Sequence, residues 1–296
     1  MPRATRWVDG LRVACVDTGP RDADAIVLLH GYFGSAATWR HVVPALARNN
    51  RVIAPDWPGW GQSERSPRAR YDYAREVARI ALLLDACDVP AADLVVHDYG
   101  AHLALGFCLA YPHRVRRLCL LNSRAQRSFV PAWAAVFGFM GALGRLPGAA
   151  GAYRMLPIAA LHRHAVRRER RMGILDDATL AEYGGWVTGD PTGRAYLARF
   201  FADYRVATRN GLVDGLARID CPTAIVWGER DPFIPLSTAH ELAHGIPGAT
   251  LRLLPEAGHF VAEEAPEVVI DTIRRLRARP LAAPDHGSSD HRARTA

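Results

Sequence analysis

The chain has 296 residues and 49% hydrophobic content, which is enough to bury the core of one full-size domain. Its formal net charge of +7 could indicate a nucleic-acid partner. Every basic residue is arginine, however, so codon bias is an alternative source of the charge, and we expect no nucleic-acid partner. No apolar run reaches the roughly 18 residues of a membrane span, and the N-terminus lacks a secretory signal, so we expect a cytoplasmic protein with no membrane partner.

Strand patterns and helix patterns alternate along most of the chain. Asp9-Gly10 predicts the turn of an N-terminal hairpin. Strands are predicted near 25–29, 51–55, 93–97, 116–121, 223–228 and 250–254, and helices near 36–48, 72–87, 99–111, 237–245 and 263–278. This alternation predicts an α/β fold, with a doubly wound and mostly parallel sheet.

The alternation stops between residues 124 and 210, where the sequence becomes helical, aromatic and rich in glycine and arginine. We therefore predict a helical cap at 124–210, inserted into a core formed by residues 1–123 and 211–278. The remaining residues, 279–296, contain too little apolar surface to pack, which predicts a disordered tail.

A carboxylate lies where one buried strand meets a helix. Residues 94–101 read Leu-Val-Val-His-Asp-Tyr-Gly-Ala, which predicts a strand, a tight turn and the start of a helix. This places Asp98 at a nucleophile elbow, where a carboxylate can displace a leaving group from an sp³ carbon and form an ester. The alternative is that Asp98 only caps the following helix.

Two later strands end in residues that would complete a catalytic triad. Asp231 lies just past the strand at 224–228, and His259 lies in the exit loop of the strand at 251–254. The chain order Asp98, Asp231, His259 is that of an α/β-hydrolase and not that of chymotrypsin or subtilisin.

An oxyanion hole is expected beside the elbow, because the loop after the strand at 25–29 can turn a backbone N–H toward Asp98. The N–H groups of Tyr32 and Tyr99 are the candidates for this hole.

From about Trp7 to about Ala278 the chain resembles α/β-hydrolases of the Asp-nucleophile branch, similar to epoxide hydrolases and haloalkane dehalogenases. The resemblance rests on an ordered set of motifs: His30-Gly31, the Asp56 turn, the Asp98 elbow, Gly228-Glu-Arg-Asp231 and Gly258-His259. Both families usually carry a proline where this chain has Phe33, so we expect a different path for the oxyanion loop.

The resemblance to epoxide hydrolases implies cap tyrosines that hydrogen-bond the epoxide oxygen. One commonly lies in a Tyr-Arg-x-x-x-Arg-Asn stretch, which residues 204–210 match, so Tyr204 is the candidate. The alternative is that Tyr204 is a core aromatic. For the second tyrosine we predict Tyr153, with Tyr183 as the competitor.

The resemblance to haloalkane dehalogenases implies two N–H donors for a halide, one of them from a tryptophan directly after the nucleophile. This chain has Tyr99 there and Tyr32 in the first loop, and Trp186 of the cap could supply only one donor. We expect Phe33, Trp133 and Trp186 to contact a bulky apolar or aromatic substrate.

The function that we expect is hydrolysis of an epoxide to a diol through an Asp98 ester. The alternatives are carbon–halogen hydrolysis, and a non-hydrolytic role as a ligand-binding or biosynthetic accessory protein. A small-molecule substrate is the only partner that the sequence indicates, and the oligomeric state stays open.

Neither a metal nor a cofactor is expected. The five cysteines are scattered without a Cys-x-x-Cys pair, which indicates buried free thiols. His162 and His164 stand two residues apart, on different faces of a helix, and we expect both at the surface.

Overall fold

The computed structural model describes residues 1–125, 129–204 and 211–281. Within these ranges, eight strands form one sheet with the order β1-β2-β4-β3-β5-β6-β7-β8. The strands are β1 (Ala4–Val8), β2 (Leu11–Thr18), β3 (Ala25–Leu29), β4 (Arg51–Pro55), β5 (Ala92–His97), β6 (Val115–Leu121), β7 (Thr223–Gly228) and β8 (Thr250–Leu254).

The pairing of the strands confirms the predicted, mostly parallel sheet. β2 pairs antiparallel with both β1 and β4, and the pairings from β4 through β3 to β8 are parallel. Asp9 and Gly10 have φ values of 55° and 73°, the geometry of a two-residue turn that joins β1 to β2.

Strand order reverses around β3, which lies between β4 and β5. Ligands of such sheets bind beyond the carboxyl ends of the strands at this point, because the loops on the two sides diverge there. The loop that leaves β3 contains the candidate oxyanion residue Tyr32, and β5 leads directly into Asp98 and Tyr99 at the start of α3.

Helices surround the sheet and also fill the connection between β6 and β7. The α-helices are α1 (Val43–Leu46), α2 (Tyr73–Ala86), α3 (Asp98–Ala110), α4 (Pro131–Gly144), α5 (Ala149–Met155), α6 (Ile158–Ala165), α7 (Arg167–Arg171), α8 (Asp177–Gly184), α9 (Trp186–Gly189), α10 (Pro191–Tyr204), α11 (Gly211–Gly215), α12 (Ser237–Gly245), α13 (Val261–Glu264) and α14 (Pro266–Arg277). Short 3₁₀ turns cover Ala36–Trp39, Pro112–Arg114 and Leu216–Arg218.

Hydrophobic clusters lie on both faces of the sheet, as a doubly wound fold requires. α2 and α3 pack in one cluster, and α1 and α14 pack in the other. α14 shows the sequence rule clearly, because its buried Val269, Ile273 and Leu276 recur at helical spacing while arginines occupy its last turn.

Two predicted helices are divided by proline. The predicted helix at 36–48 is a 3₁₀ turn followed by the short α1, which carries Pro44 in its first turn. The predicted helix at 263–278 is interrupted at Ala265, because Pro266 disfavours helical backbone in the residue before it and then opens α14.

Within the described ranges, the connection from β6 to β7 contains α4 to α11 and no strand, which agrees with an inserted helical cap. α10 packs against both α4 and α5 and forms the centre of this cap. Most of the predicted tail, residues 282–296, lies outside the described residues. None of the described helices is long and apolar enough to cross a membrane.

Candidate active site

The elbow that the sequence predicts is present at the end of β5. Asp98 has a φ of 48°, in the left-handed region, and opens α3. The backbone segments at Gly31 and Asp98 pass so closely that a Cβ on Gly31 would lie 2.8 Å from the Asp98 Cβ. A Cβ on Gly100 would lie 2.7 Å from the His30 carbonyl oxygen. Glycine at both positions therefore makes the sharp turn possible.

The structure brings the three predicted triad residues together. His259 Nδ1 lies 2.8 Å from Asp231 Oδ2, and His259 Nε2 lies 3.9 Å from Asp98 Oδ2. All three side chains are buried, with exposed fractions of 11% or less. The contact between His259 and Asp98 is longer than a hydrogen bond, and a water molecule between substrate ester and imidazole would need such a gap.

Asp231 is held by hydrogen-bond donors from the segments that follow two neighbouring strands, β6 and β7. Its Oδ1 accepts from the N–H groups of Phe233 and Ile234, at 2.7 and 3.0 Å, and its Oδ2 accepts from Asn122 Nδ2 at 2.7 Å. Burial raises the pKa of Asp231, but His259 and these donors outweigh it and hold the pKa below its usual value. Asn122 was not predicted, although its place directly after β6, the neighbour of β7, could have indicated it.

His259 lies between two carboxylates. Burial lowers its pKa, but Asp231, and after it Asp98, outweigh burial and raise the pKa to about 9. The imidazolium is thus the favoured form while Asp98 is ionised. Loss of the charge on Asp98 would therefore favour the neutral form of His259, which is the form that can accept a proton.

His97 supports His259 from beneath. Its Nε2 lies 2.9 Å from the His259 carbonyl oxygen, to which it donates. Burial first, and then the charge of His259, lower the pKa of His97 to about 4, so it stays neutral. This contact agrees with a packing and hydrogen-bonding role rather than a catalytic one.

One of the two predicted oxyanion donors contacts the nucleophile directly. Tyr32 N–H donates to Asp98 Oδ1 at 2.9 Å, and Tyr99 N–H belongs to the first turn of α3, where amides have no partner within the helix. Phe33 has a φ of 57°. Proline cannot adopt that value, so the loop follows a path closed to sequences with proline here.

A cavity lies above Asp98 and is lined mainly by aromatic side chains. Phe33 and Trp133 line it, as predicted, and so does Arg124, which was not predicted. Trp186 is not among the lining residues: its indole Nε1 donates to the Tyr183 carbonyl oxygen at 3.1 Å, behind Phe33. The prediction of Trp186 as a substrate contact therefore needs this correction.

His162 lines the same cavity, so the prediction of a surface position was wrong. Its ring stacks on Phe33 at 4.5 Å between centroids, and burial lowers its pKa to about 4. A neutral imidazole adds to the apolar wall.

The three candidate tyrosines of the cap lie in different environments. Tyr204 lines the cavity, and within the described part of the chain its buried hydroxyl has no hydrogen-bond partner. Tyr153 does not line the cavity, because its hydroxyl donates to the Met140 carbonyl oxygen at 2.7 Å. Tyr183 donates to the buried Glu263. The structure thus corrects the choice of Tyr153, and residues 205–210 of the tyrosine motif lie outside the described residues.

A buried acid that the sequence analysis missed lies beneath Tyr99, the second candidate oxyanion residue. Glu76 accepts from the Tyr99 hydroxyl, from Trp57 Nε1 at 2.7 Å, and from Arg79. These bonds hold the Tyr99 phenol away from the nucleophile, and Glu76 is fully buried. Its position in α2, far from the elbow in sequence, gave no signal.

The sequence matches the profile of the alpha/beta hydrolase fold family over residues 24–266. It is 33% identical over 265 residues to 2-hydroxymuconate semialdehyde hydrolase of Pseudomonas sp. (strain CF600), with 86% of each chain covered. These matches confirm the predicted fold. The predicted Asp-nucleophile branch stays a prediction, since this relative is named for a different substrate.

Solved structures with the same fold include two that cover nearly the whole chain. Cfl2 from Burkholderia cenocepacia has a TM-score of 0.76 and 30% identity, over 92% of this chain and 94% of that one. The epoxide hydrolase CorEH has a TM-score of 0.77 at 23% identity, over 93% and 98% of the chains.

Proposed function

The chain belongs to the α/β-hydrolase fold family, and we propose that it hydrolyses epoxides to diols through a covalent ester on Asp98. The observation that carries the proposal is the carboxylate at the elbow, where Asp98 Oδ1 accepts from Tyr32 N–H and Oδ2 faces His259. A carboxylate here can attack a strained sp³ carbon and form an alkyl ester.

In the first step, Asp98 Oδ2 attacks an epoxide carbon and the carbon–oxygen bond of the ring breaks. The leaving oxygen stays attached to the substrate and takes a proton from the Tyr204 hydroxyl, which lines the cavity. The enclosed hydroxyl is available for this role because it has no partner among the described residues. The proton that ester hydrolysis leaves on Asp98 later returns to the Tyr204 oxygen through water.

In the second step, His259 removes a proton from water, and the hydroxide attacks the Asp98 carboxyl carbon. The N–H groups of Tyr32 and Tyr99 hold the oxyanion, and the diol oxygen leaves with the proton from His259. Esterification removes the charge of Asp98, one of the causes that raise the pKa of His259. Formation of the ester therefore favours neutral His259, the form that accepts a proton from water in the second step.

Halide release is the second candidate, and the donors that it needs are engaged elsewhere. The Tyr99 hydroxyl is bound to Glu76, and the Trp186 indole is bound to the Tyr183 carbonyl oxygen. A leaving oxygen needs one hydroxyl donor instead, which Tyr204 supplies. The aromatic walls at Phe33 and Trp133 favour a bulky apolar or aromatic substrate.

The test is a single turnover of an aryl epoxide in ¹⁸O-labelled water. The enzyme is in excess of the epoxide, and its concentration is above the dissociation constant of the epoxide. Because the hydroxide attacks the carboxyl carbon, one labelled oxygen should appear in the Asp98 peptide by mass spectrometry. A His259→Ala variant should stop after the first step and gain the mass of one substrate. An unlabelled Asp98 peptide from an active enzyme would contradict the ester mechanism.

A turnover screen compares epoxides with haloalkanes and with 2-hydroxymuconate semialdehyde as substrates, using Asp98→Asn as the inactive control. Turnover of either other class without turnover of any epoxide would overturn the proposal. Tight ligand binding with no turnover, unchanged in Asp98→Asn, would instead support an accessory role.

A further inference from the structure

One helix of the cap is apolar on every side and yet has an exposed face. α4 reads Pro-Ala-Trp-Ala-Ala-Val-Phe-Gly-Phe-Met-Gly-Ala-Leu-Gly, with no charged residue and no polar side chain besides the indole of Trp133. A helix of this composition is normally buried on all sides. In α4, Phe139 is 59% exposed, and Leu146 just beyond its end is 58% exposed.

The exposed residues share one side of α4. Ala135, Phe139 and Ala142 recur at the i, i+4, i+7 spacing of a single helix face, and Leu146 follows two residues after the helix ends. The adjoining α5, which packs against α4, adds Met155 at 86% exposure. We call these five residues the apolar cap surface.

All of the net charge of the chain lies in the same insertion. Residues 124–210 contain 13 arginines and 6 acidic residues, so they carry the whole net charge of +7, and the rest of the chain is neutral. Arg145 and Arg154 are exposed, next in the chain to Leu146 and Met155.

We propose that the apolar cap surface docks the protein on the interface of an anionic phospholipid bilayer. Exposed aromatic and aliphatic side chains beside arginines are the combination that such an interface binds, through burial of apolar area and attraction to anionic headgroups. A second copy of the chain is the poorer occupant, because the two +7 caps would repel each other. Peripheral docking needs no spanning helix, and it revises the expectation of no membrane partner.

The opposite face of α4 gives this docking a use. Trp133, Phe137 and Met140 line the cavity above Asp98, while Phe139 faces outward. One helix, about 10 Å thick, thus separates the docked surface from the candidate active site. An apolar substrate dissolved in the bilayer would be concentrated beside the cavity.

The test is co-sedimentation of the purified chain with phosphatidylglycerol vesicles and with phosphatidylcholine vesicles. We expect binding to phosphatidylglycerol only, weakened by salt. The double variant Phe139→Ser/Leu146→Ser should bind roughly tenfold more weakly because it loses apolar burial. Arg145→Gln and Arg154→Gln should each cost about fivefold.

The matched control is Trp7→Ser, which removes an equally exposed aromatic, 67% accessible, from β1. It should bind phosphatidylglycerol vesicles like the parent, and thermal melting should show that all variants fold. Absence of binding by the parent, or an equal loss in Trp7→Ser, would overturn the proposal. A concentration-dependent dimer that Phe139→Ser abolishes would show that a second copy covers the surface instead.

Discussion

Replacing Tyr204 by phenylalanine should make the protein more stable and a worse catalyst at the same time. The Tyr204 hydroxyl is buried without a partner among the described residues, and such a group costs about 1–3 kcal/mol. Tyr204→Phe should recover part of that cost and raise the melting temperature by at least about 2 °C. If the same hydroxyl donates to the opening epoxide, alkylation of Asp98 should slow by about a hundredfold.

The matched variant is Tyr153→Phe, in the same cap. Its hydroxyl donates to the Met140 carbonyl oxygen at 2.7 Å, so the variant should lose about 0.5–1.5 kcal/mol and keep its kinetics. Stopped-flow tryptophan fluorescence would follow alkylation, and calorimetry would follow unfolding. Unchanged alkylation in Tyr204→Phe on a good epoxide would refute the role of this hydroxyl. A lower melting temperature of Tyr204→Phe would show that the Tyr204 hydroxyl has a hydrogen-bond partner.

Three further outcomes follow from the buried charges and amides. In Asp98→Asn, the pKa of His259, about 9 in the parent, should fall by about 1–3 pH units because a negative neighbour is lost, as NMR titration of the imidazole would show. Asn122→Ala should lose about 1–3 kcal/mol in urea unfolding and lower kcat, because it removes one donor from Asp231 and the acceptor of the Gly228 N–H. Glu76→Gln should destabilise by about 1–3 kcal/mol in the same urea assay, because it removes one of the two carboxylates that pair with the buried Arg79, the other being Asp9. Values within error of the parent would contradict the assigned contact in each case.

The triad could be predicted because each of its members directly follows a strand. A parallel sheet brings the carboxyl ends of its strands to one edge, so the positions of Asp98, Asp231 and His259 follow from local patterns and chain order alone. The contact of Tyr32 N–H with Asp98 could be predicted for the same reason, since its loop leaves β3, the neighbour of β5.

Residues of the cap could not be placed in this way. Whether Tyr153 or Tyr204 presents a free hydroxyl depends on which carbonyl lies opposite, and that is set by how α10 packs on α4 and α5. For the same reason, His162 lines the cavity instead of the surface, and Trp186 packs behind Phe33 instead of lining the cavity. Helices that pack irregularly have no counterpart of the sheet edge that gathers the triad residues. Sequence spacing therefore says little about which side chains of the cap lie close together.

The length of the connection from β6 to β7 has a consequence for how the protein could change. Two parallel neighbours need a crossover of only about a dozen residues, whereas here the chain runs from Leu121 to Thr223 before the next strand begins. The excess is about three doublings of loop length, each worth about 0.6 kcal/mol of closure entropy. Because the whole excess costs only about 2 kcal/mol, a cap of another length or shape could replace this one with a smaller change than that in closure entropy, which leaves the three residues at the sheet edge in place while the cavity above them is rebuilt.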